Sequence, residues 1–205
     1  MPALEKTTVN ARAISALALS CSLSWGCLYQ GRARSFDASS AKARGVVVVA
    51  NVPELRQRDP QGCGVTALAA LLAHHGVRVD PSEVRRELRI PEGKPASAGA
   101  LVDYARRRGL DAFLVRGTFE DLQREVQAGR PALVGMIKPY LGDRWLAHYE
   151  VLVAWSPTVV VTMDPAQGFR EYPHQGFLVE WDLAGSLLLV AAPASPAERA
   201  QPPTL

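Results

Sequence analysis

The most informative stretch of the sequence is Gln57-Arg-Asp-Pro-Gln-Gly-Cys63-Gly-Val-Thr-Ala-Leu-Ala-Ala-Leu-Leu-Ala-His-His-Gly76. It places Cys63 between two glycines, directly before a run of strong helix formers that Gly76 is suited to end. We expect a helix from about Gly64 to His74. A cysteine at a helix start faces unpaired N–H groups and the positive end of the helix dipole, which lower the pKa of its thiol. The stretch therefore predicts a reactive cysteine, with the amide of Gln57 as a hydrogen-bond donor beside it.

Composition is that of an ordinary globular domain and excludes several classes of function. The chain has 205 residues, of which 48% are apolar and 21% charged, enough for one domain with a sizeable core. The net charge of +3 comes without a basic stripe interleaved with aromatics, so we expect no nucleic-acid partner. The sequence has no His-Glu-x-x-His, Cys-x-x-Cys or dinucleotide-binding glycine motif, so we expect no metal or organic cofactor.

The first 26 residues have the pattern of a secretory signal, with a basic start, an apolar run of about a dozen residues and a small residue at the end. Gly26-Cys27 resembles the junction of a bacterial lipoprotein signal, after which the cysteine carries lipid. We therefore expect residues 1–26 to be removed, Cys27 to be lipidated and the protein to lie at the cell envelope, on the periplasmic face. Cys21 is a second candidate, and a plain signal peptide or an uncleaved anchor remain alternatives.

Residues 27–45 lack an apolar period and are interpreted as a tether, and residues 192–205, rich in Pro and Ala, as a disordered tail. Between them, residues 46–191 form the predicted domain. Its first half has helix signals: Asp80-Pro81 at one start, Ser97 or Ala98 at another, and Thr118 at a third. Its second half has strand signals, and the strands predicted there are Pro131–Ile137, His148–Trp155, Thr158–Met163 and Ser186–Ala191. Two further strands are predicted in the first half, at Val46–Val52 and Asp111–Val115. Helices followed by antiparallel strands indicate an α+β fold.

A cysteine nucleophile needs a base, and the chain has four histidines. His74 and His75 lie about 16 Å beyond Cys63 along the helix, too far to reach it. His174 lies in an apparent turn and is a weak candidate. His148 begins an apolar strand after a loop, a suitable place at the edge of a cleft, although a histidine there is also compatible with a structural role.

Asp164 is the candidate that would orient the base. It ends a predicted strand next to the one that His148 begins, and a carboxylate there can bond the far nitrogen of the imidazole. The alternative is that Asp164-Pro165 is only a turn. A cysteine at a helix start, a histidine on a later strand and an acid on the next strand follow the order of papain-like folds.

Together these features resemble the bacteriocin-processing peptidases, papain-like cysteine peptidases that cleave leader peptides after a double glycine. The resemblance covers about residues 50–191. It rests on Gln57 six residues before Cys63, the Cys63-Gly64 pair, the helix ending at Gly76, His148 heading an apolar strand, and Asp164-Pro-Ala-x-Gly168. Gly62 departs from the family, which usually has aspartate before the cysteine. The chain also has no phosphate-binding loop of the transporters that carry such domains, so it resembles stand-alone, exported or lipid-anchored members.

The resemblance implies a papain-like fold and a role for each of four residues. Cys63 would be the nucleophile, His148 the general base and Asp164 the residue that orients the base. Gln57 would supply a side-chain N–H to the oxyanion hole, and the backbone N–H of Cys63 would be the second donor.

The predicted function is therefore a cysteine peptidase at the cell envelope, of the leader-peptide or double-glycine type. Its expected partners are a peptide substrate, a membrane reached through the lipid anchor, and an export transporter. Two alternatives remain: a non-catalytic peptide-binding module of the same fold, and an amidase acting on cell-wall peptides.

Overall fold

The computed structural model describes residues 32–140 and 144–194. Its central element is an antiparallel sheet. The strands are β1 (Arg34–Ser35), β2 (Val47–Val48), β3 (Leu110–Arg116), β4 (Ala132–Pro139), β5 (Trp145–Trp155), β6 (Val159–Asp164), β7 (Gly168–Pro173) and β8 (Leu187–Pro193). Seven of these strands follow the order β1-β7-β6-β5-β4-β8-β3, and β2 pairs with β5 outside this path. The long strand β5 lies between β4 and β6, so residues of all three strands come together along it.

Five helices cover the two faces of this sheet: α1 (Cys63–His74), α2 (Pro81–Glu87), α3 (Ala98–Arg107), α4 (Phe119–Gln127) and α5 (His174–Asp182). Helices α1 to α3 contribute apolar side chains to one core, which includes Leu68 and Leu101. Helices α4 and α5 contribute to a second core, which includes Leu122 and Trp181. Helix, sheet and helix thus form three layers, and the predicted α+β class is confirmed.

The helix starts follow the capping signals in the sequence. The side chain of Asp80 accepts the N–H of Ser82 at the start of α2, and Ser97 caps α3. Thr118 and Asp121 form a reciprocal capping box at the start of α4. Helix α1 begins one residue earlier than expected, at Cys63.

Three expectations for the chain path need correction. The strand predicted for Val46–Val52 is limited to β2, because the chain turns at Asn51, which has a φ of 61°. Strand β5 starts at Trp145, so His148 is its fourth residue rather than its first. His174 is not in a turn, since it is the first residue of α5, and neither α5 nor β7 was expected from the sequence.

Residues 32–45 do not behave as the tether that the sequence suggested. They form β1, paired with β7, and two one-turn 3-10 helices, and Ala41 is buried in the core beneath α1 to α3. Arg34 and Arg44 both form ion pairs with the buried Glu171. Strand β8 likewise extends to Pro193, into the segment interpreted as a tail. The expected signal peptide, Cys21, Cys27 and residues 195–205 lie outside the described residues.

Candidate active site

Cys63 is the first residue of α1 and is 4% exposed. The turn before it is tight: the N–H of Gly62 donates to the carbonyl oxygen of Asp59 at 3.0 Å. A Cβ on residue 62 would lie 2.8 Å from Asp59 Oδ2 and 3.2 Å from the Asp59 carbonyl oxygen, so a larger residue there would require the Asp59 side chain to move. Gly62 is therefore in close contact with Asp59 in the turn that leads into α1.

Gln57 lies in the extended segment that leads to this turn. Its backbone N–H donates to the carbonyl oxygen of Pro165 at 2.9 Å, and its side-chain Nε2 donates to the carbonyl oxygen of Asp59 at 3.0 Å. Arg56 adds a bond from Nη1 to the carbonyl oxygen of Ala166. The segment before Cys63 is thus attached to the turn that follows Asp164.

His148 and Asp164 are in direct contact, since Nε2 of the histidine lies 2.8 Å from Oδ1 of the aspartate. Both side chains are buried, with 3% of His148 and none of Asp164 exposed. Asp164 Oδ1 also accepts the backbone N–H of Ala166 at 2.8 Å. An ionised Asp164 fixes the ring proton at Nε2 and leaves Nδ1 as the nitrogen that can accept another proton.

Burial opposes charge on both members of this pair. It lowers the pKa of His148 to about 4 and raises the pKa of Asp164 to about 7. The backbone N–H groups of Ala166 and Gln167 act against the shift at Asp164, because they stabilise its carboxylate. An imidazolium at His148 therefore requires stabilisation from a negative charge nearby.

The residues that follow Cys63 and His148 in sequence contact each other. A Cβ on Gly64 would lie 3.1 Å from Cδ2 of Tyr149, so a larger residue at position 64 would push against the tyrosine ring. Burial raises the pKa of Tyr149, and a negative charge on Cys63 raises it further. Strand β5 thus passes the start of α1 at the residue after His148.

A cluster of buried charged side chains adjoins His148 and was not anticipated from the sequence. Lys138 Nζ lies 2.5 Å from Glu150 Oε1 and 2.8 Å from Glu180 Oε2, and none of these side chains is more than 1% exposed. Tyr172 bonds both Lys138 and Glu150, and Thr162 donates to Glu150 Oε2 at 2.5 Å. The signal in the sequence was Glu150 alone, a charged residue within the predicted strand His148–Trp155, because Lys138 lies outside the strand predicted for Pro131–Ile137.

Three of these buried side chains lie close enough together to be considered as ligands of a metal ion. One ligand atom from each of His148, Glu150 and Asp164 lies within 4.8 Å of the others. The ammonium of Lys138, however, already supplies a cation 2.5 Å from Glu150. The donor set therefore fits a buried ammonium better than a metal ion.

The other histidines lie elsewhere in the fold. His74 ends α1, and its Nδ1 lies 2.9 Å from the carbonyl oxygen of Ala50. His75 follows it and is half-buried. His174 Nε2 lies 2.8 Å from the carbonyl oxygen of Ser156, at the start of α5. The structure thus gives each of these three histidines a place at a helix end, whereas His148 lies within a strand and contacts Asp164.

A cleft of about 510 Å³ lies beside Gln57. Its walls are the segment 54–59, the first turn of α1 at Val65 and Thr66, and the start of α2 with Arg85. Its lining includes Gln57 but neither Cys63 nor His148. The cleft therefore borders the segment that precedes the cysteine.

No helix among the described residues combines the length and the apolar character needed to cross a bilayer.

Several solved structures share the fold. A C39-like peptidase from Bacillus anthracis has a TM-score of 0.60 and 21% identity, over 73% of this chain and 98% of that one. The peptidase domain of Streptococcus ComA, a bifunctional ABC transporter involved in quorum sensing, has a TM-score of 0.57 and 23% identity, over 68% of this chain and 96% of the domain. A double glycine motif protease from an AMS/PCAT transporter, solved with its leader peptide, has a TM-score of 0.57 and 23% identity, over 72% and 95% of the two chains.

These likenesses confirm the papain-like peptidase fold that the sequence predicted. No curated protein matches the chain. Residues 51–195, more than half of the chain, match the model of the peptidase C39 family, and the chain belongs to that family.

Proposed function

We propose that the chain is a cysteine peptidase in which Cys63 is the nucleophile, His148 the general base and Asp164 the residue that orients it. Gln57 Nε2 and the backbone N–H of Cys63 are the proposed donors to the oxyanion. The observation that carries the proposal is the buried bond of 2.8 Å between His148 Nε2 and Asp164 Oδ1. A carboxylate bonded to one imidazole nitrogen is the arrangement that prepares the other nitrogen as a base.

Two further contacts support this assignment. Gly64 and Tyr149, the residues after the proposed nucleophile and base, pack against each other. The bond from the Gln57 N–H to the Pro165 oxygen ties the proposed oxyanion donor to the turn after Asp164. Both contacts support an arrangement in which the four side chains act together.

The proposed reaction proceeds through a thioester. The Cys63 thiolate attacks the scissile carbonyl carbon, and the amide C–N bond breaks as the His148 imidazolium gives its proton to the leaving amine. Water then attacks the thioester and gives a proton to His148, and the C–S bond breaks to release the carboxylic acid product and the thiolate. Gln57 and the Cys63 N–H donate to the oxyanion in both steps, and losing one such donor costs about 2.7–4 kcal/mol of barrier.

The proposal is tested by labelling Cys63 with a cysteine-directed electrophile. We expect His148→Ala to slow labelling about 100-fold or more, because the base that forms the thiolate is lost. His174→Ala is the matched control and should label at the wild-type rate, and Cys63→Ala should not label at this site. Equal rates for wild type and His148→Ala would mean that His148 does not activate the thiol, and would favour the non-catalytic peptide-binding module.

For the substrate we propose a peptide cleaved after a double glycine. The support is membership of the C39 family and the fold shared with a double glycine motif protease that was solved with a leader peptide. Mass spectrometry of products should show cleavage after Gly-Gly in a test peptide and no cleavage when the second glycine is replaced by valine. Cleavage of cell-wall peptides instead would favour the amidase.

We further propose that the protein is exported, held at the periplasmic face by a lipid on Cys27, and works beside an export transporter. The support for export and the lipid anchor is the sequence of residues 1–27 alone. The support for a transporter partner is the fold shared with the peptidase domains of the ComA and AMS/PCAT transporters. Cys27→Ser should move the protein from the membrane fraction to the soluble fraction, whereas Cys21→Ser should leave it on the membrane. Retention of Cys27→Ser on membranes would argue against this anchor.

A further inference from the structure

The buried charges beside His148 are placed where they can act on its ring. His148 pairs with Met136 across β4 and β5, and alternation along β5 places Glu150 on the same face as His148. One ring nitrogen of His148 lies within 4.8 Å of a carboxylate oxygen of Glu150. Asp164 is bonded to the same ring, so His148 has two buried carboxylates within reach.

Glu150 is held in one position by three donors. Lys138 Nζ lies 2.5 Å from Oε1, the Tyr172 hydroxyl lies 2.8 Å from Oε1, and the Thr162 hydroxyl lies 2.5 Å from Oε2. The donors come from β4, β7 and β6, so the position of the carboxylate depends on the pairing of four strands. A side chain held in this way cannot turn to solvent or change its distance from His148 without breaking these bonds.

Within the cluster, the ionised form of Glu150 is favoured. Burial opposes its ionisation, but Lys138, His148 and the Thr162 hydroxyl prevail and hold its pKa below the usual range. Burial raises the pKa of Tyr172 well above 10, so its hydroxyl stays a donor. Lys138 is shared with Glu180, whose other oxygen accepts the backbone N–H of Arg32 at 2.7 Å.

We infer that Glu150, clamped by Lys138, Tyr172 and Thr162, is a positioning residue for His148 that stabilises its protonated form with a fixed negative charge. This inference rests on the proposed function, in which His148 must carry a proton between the attack and the departure of the amine. Asp164 orients the ring, and Glu150 and Lys138 act on its charge in opposite directions. Burial has the largest effect on the proton affinity of the base, and an ion pair outside the Cys-His-Asp set then adjusts it.

The charges of Glu150 and Lys138 should shift the pKa of His148 in opposite directions. Glu150 raises the pKa of His148 and Lys138 lowers it. The other charged or titratable groups near this pair include Asp164 on β6, Tyr172 and Arg170 on β7, Glu180 on α5, and Cys63, the proposed nucleophile, at the start of α1. A residue that only packed the core would change stability without giving opposite shifts on removal of opposite charges.

Two variants test this in the full chain. Glu150→Gln removes one carboxylate and leaves Lys138 paired with Glu180 at 2.8 Å, so no buried cation is left alone. The double variant Lys138→Met with Glu180→Gln keeps the net charge unchanged, breaks both ion pairs of Lys138 and leaves Glu150 with its two hydroxyl donors. Glu171→Gln is the matched control, because it neutralises a buried carboxylate that pairs with Arg34 and Arg44 instead.

The readout is the pKa of His148, measured by NMR of labelled imidazole, with the His148→Ala spectrum for assignment. We expect Glu150→Gln to lower this pKa by about one unit, the double variant to raise it by a similar amount, and Glu171→Gln to leave it unchanged. The acid limb of kcat/KM should move in the same directions. Circular dichroism checks folding, and either variant alone decides the direction.

No shift of the His148 pKa in a folded variant, or a shift of the same sign in both, would overturn the inference. The NMR titration requires no turnover. A wild-type protein without peptidase activity, in which the two variants still shift the His148 pKa in opposite directions, would contradict the proposed function but not the inference. An active wild-type protein in which the variants do not shift this pKa would contradict only the inference.

Discussion

Burial of His148 and Asp164 gives the stability of the protein two opposing dependences on pH. The pKa of Asp164 is raised to about 7 from 3.8, so its contribution is full below pH 4 and is lost as pH rises through 7. The pKa of His148 is lowered to about 4 from 6.5, so its contribution is full above pH 6.5 and is lost as pH falls through 4. Between these limits the two effects offset each other.

Comparing wild type with a variant that lacks the Asp164 carboxylate should reveal the contribution of Asp164 to the pH dependence of stability. We expect the stability of Asp164→Asn relative to wild type to rise with pH between 4 and 7, by on the order of 1 kcal/mol per pH unit. The reason is that only the wild type loses the contribution of Asp164 in this range. Urea unfolding at several pH values measures the difference, with Asp103→Asn on the exposed face of α3 as the control. Parallel curves for wild type and Asp164→Asn would contradict the prediction.

Gly168, which ends the turn after Asp164, is a second residue with a local requirement. Its φ of 83° disfavours any side chain, and a Cβ there would lie 2.5 Å from Arg56 Nη2 and Glu54 Oε1. We expect Gly168→Ala to lower the free energy of unfolding by about 1–2 kcal/mol. Gly99→Ala should instead stabilise the protein by about 0.5 kcal/mol, because Gly99 is helical and has open space around it. Chemical denaturation of both variants checks the contrast, and equal effects would argue against it.

At the scale of elements, α2 positions the segment that leads to the cysteine. Arg85 donates to Asp59 Oδ1 and to the carbonyl oxygen of Gln61, and its other nitrogen donates to the carbonyl oxygens of Pro91 and Lys94. One side chain thus connects α2 to the turn before Cys63 and to the loop before α3.

Removing this connection should affect activity more than stability. We expect Arg85→Met to lower kcat/KM at least 10-fold, because the turn that positions Cys63 and Gln57 is released. Arg86→Met, on the exposed side of the same helix, is the control and should keep wild-type kinetics. Peptide hydrolysis together with thermal unfolding separates the two effects. Unchanged kcat/KM in Arg85→Met would mean that the turn holds its shape without this side chain.

Elements with local signals could be predicted from the sequence, and elements that depend on distant partners could not. Helices α1 to α4 have caps or apolar runs that act within a few residues, and these predictions are confirmed. Strand β7 contains Arg170 and Glu171, which resemble an exposed loop. Glu171 is buried there only because Arg34 and Arg44, more than 120 residues earlier, neutralise it.

The same reasoning applies to the candidate site. The bond between His148 and Asp164 was predicted because the two residues lie 16 positions apart on adjacent strands. The position of Glu150 and Lys138 beside them was not predicted. A charged side chain can be buried in an apolar strand only when residues of other elements neutralise it, and those residues are distant in the sequence. Those partners, Tyr172 and Glu180, belong to β7 and α5, which the sequence did not predict.

At the scale of the whole molecule, the domain extends beyond the segment that matches the family. The match begins at residue 51, yet residues 32–50 contribute β1, β2 and buried side chains such as Ala41 and Val49. Phe36 packs against the core beneath α1 to α3, and its N–H donates to the carbonyl oxygen of Phe169 at 3.1 Å. Within this segment β1 pairs with Arg170 and Glu171 of β7, so it forms one edge of the sheet.

A chain that begins at residue 46 should therefore be less stable than one that begins at residue 32, by about 2–4 kcal/mol. The shorter chain loses the packing of Phe36 and Ala41 and leaves Glu171 buried without Arg34 and Arg44. Glu171→Gln should raise the stability of the shorter chain, because it removes a buried carboxylate that has lost its partners. The same substitution should lower the stability of the longer chain, because it removes the ion pairs with Arg34 and Arg44. Urea unfolding of the four proteins measures the coupling between the segment and Glu171. Equal stability of the two unmodified chains would show that the segment only lies on the domain, because burial and ion pairing would then contribute nothing at this edge.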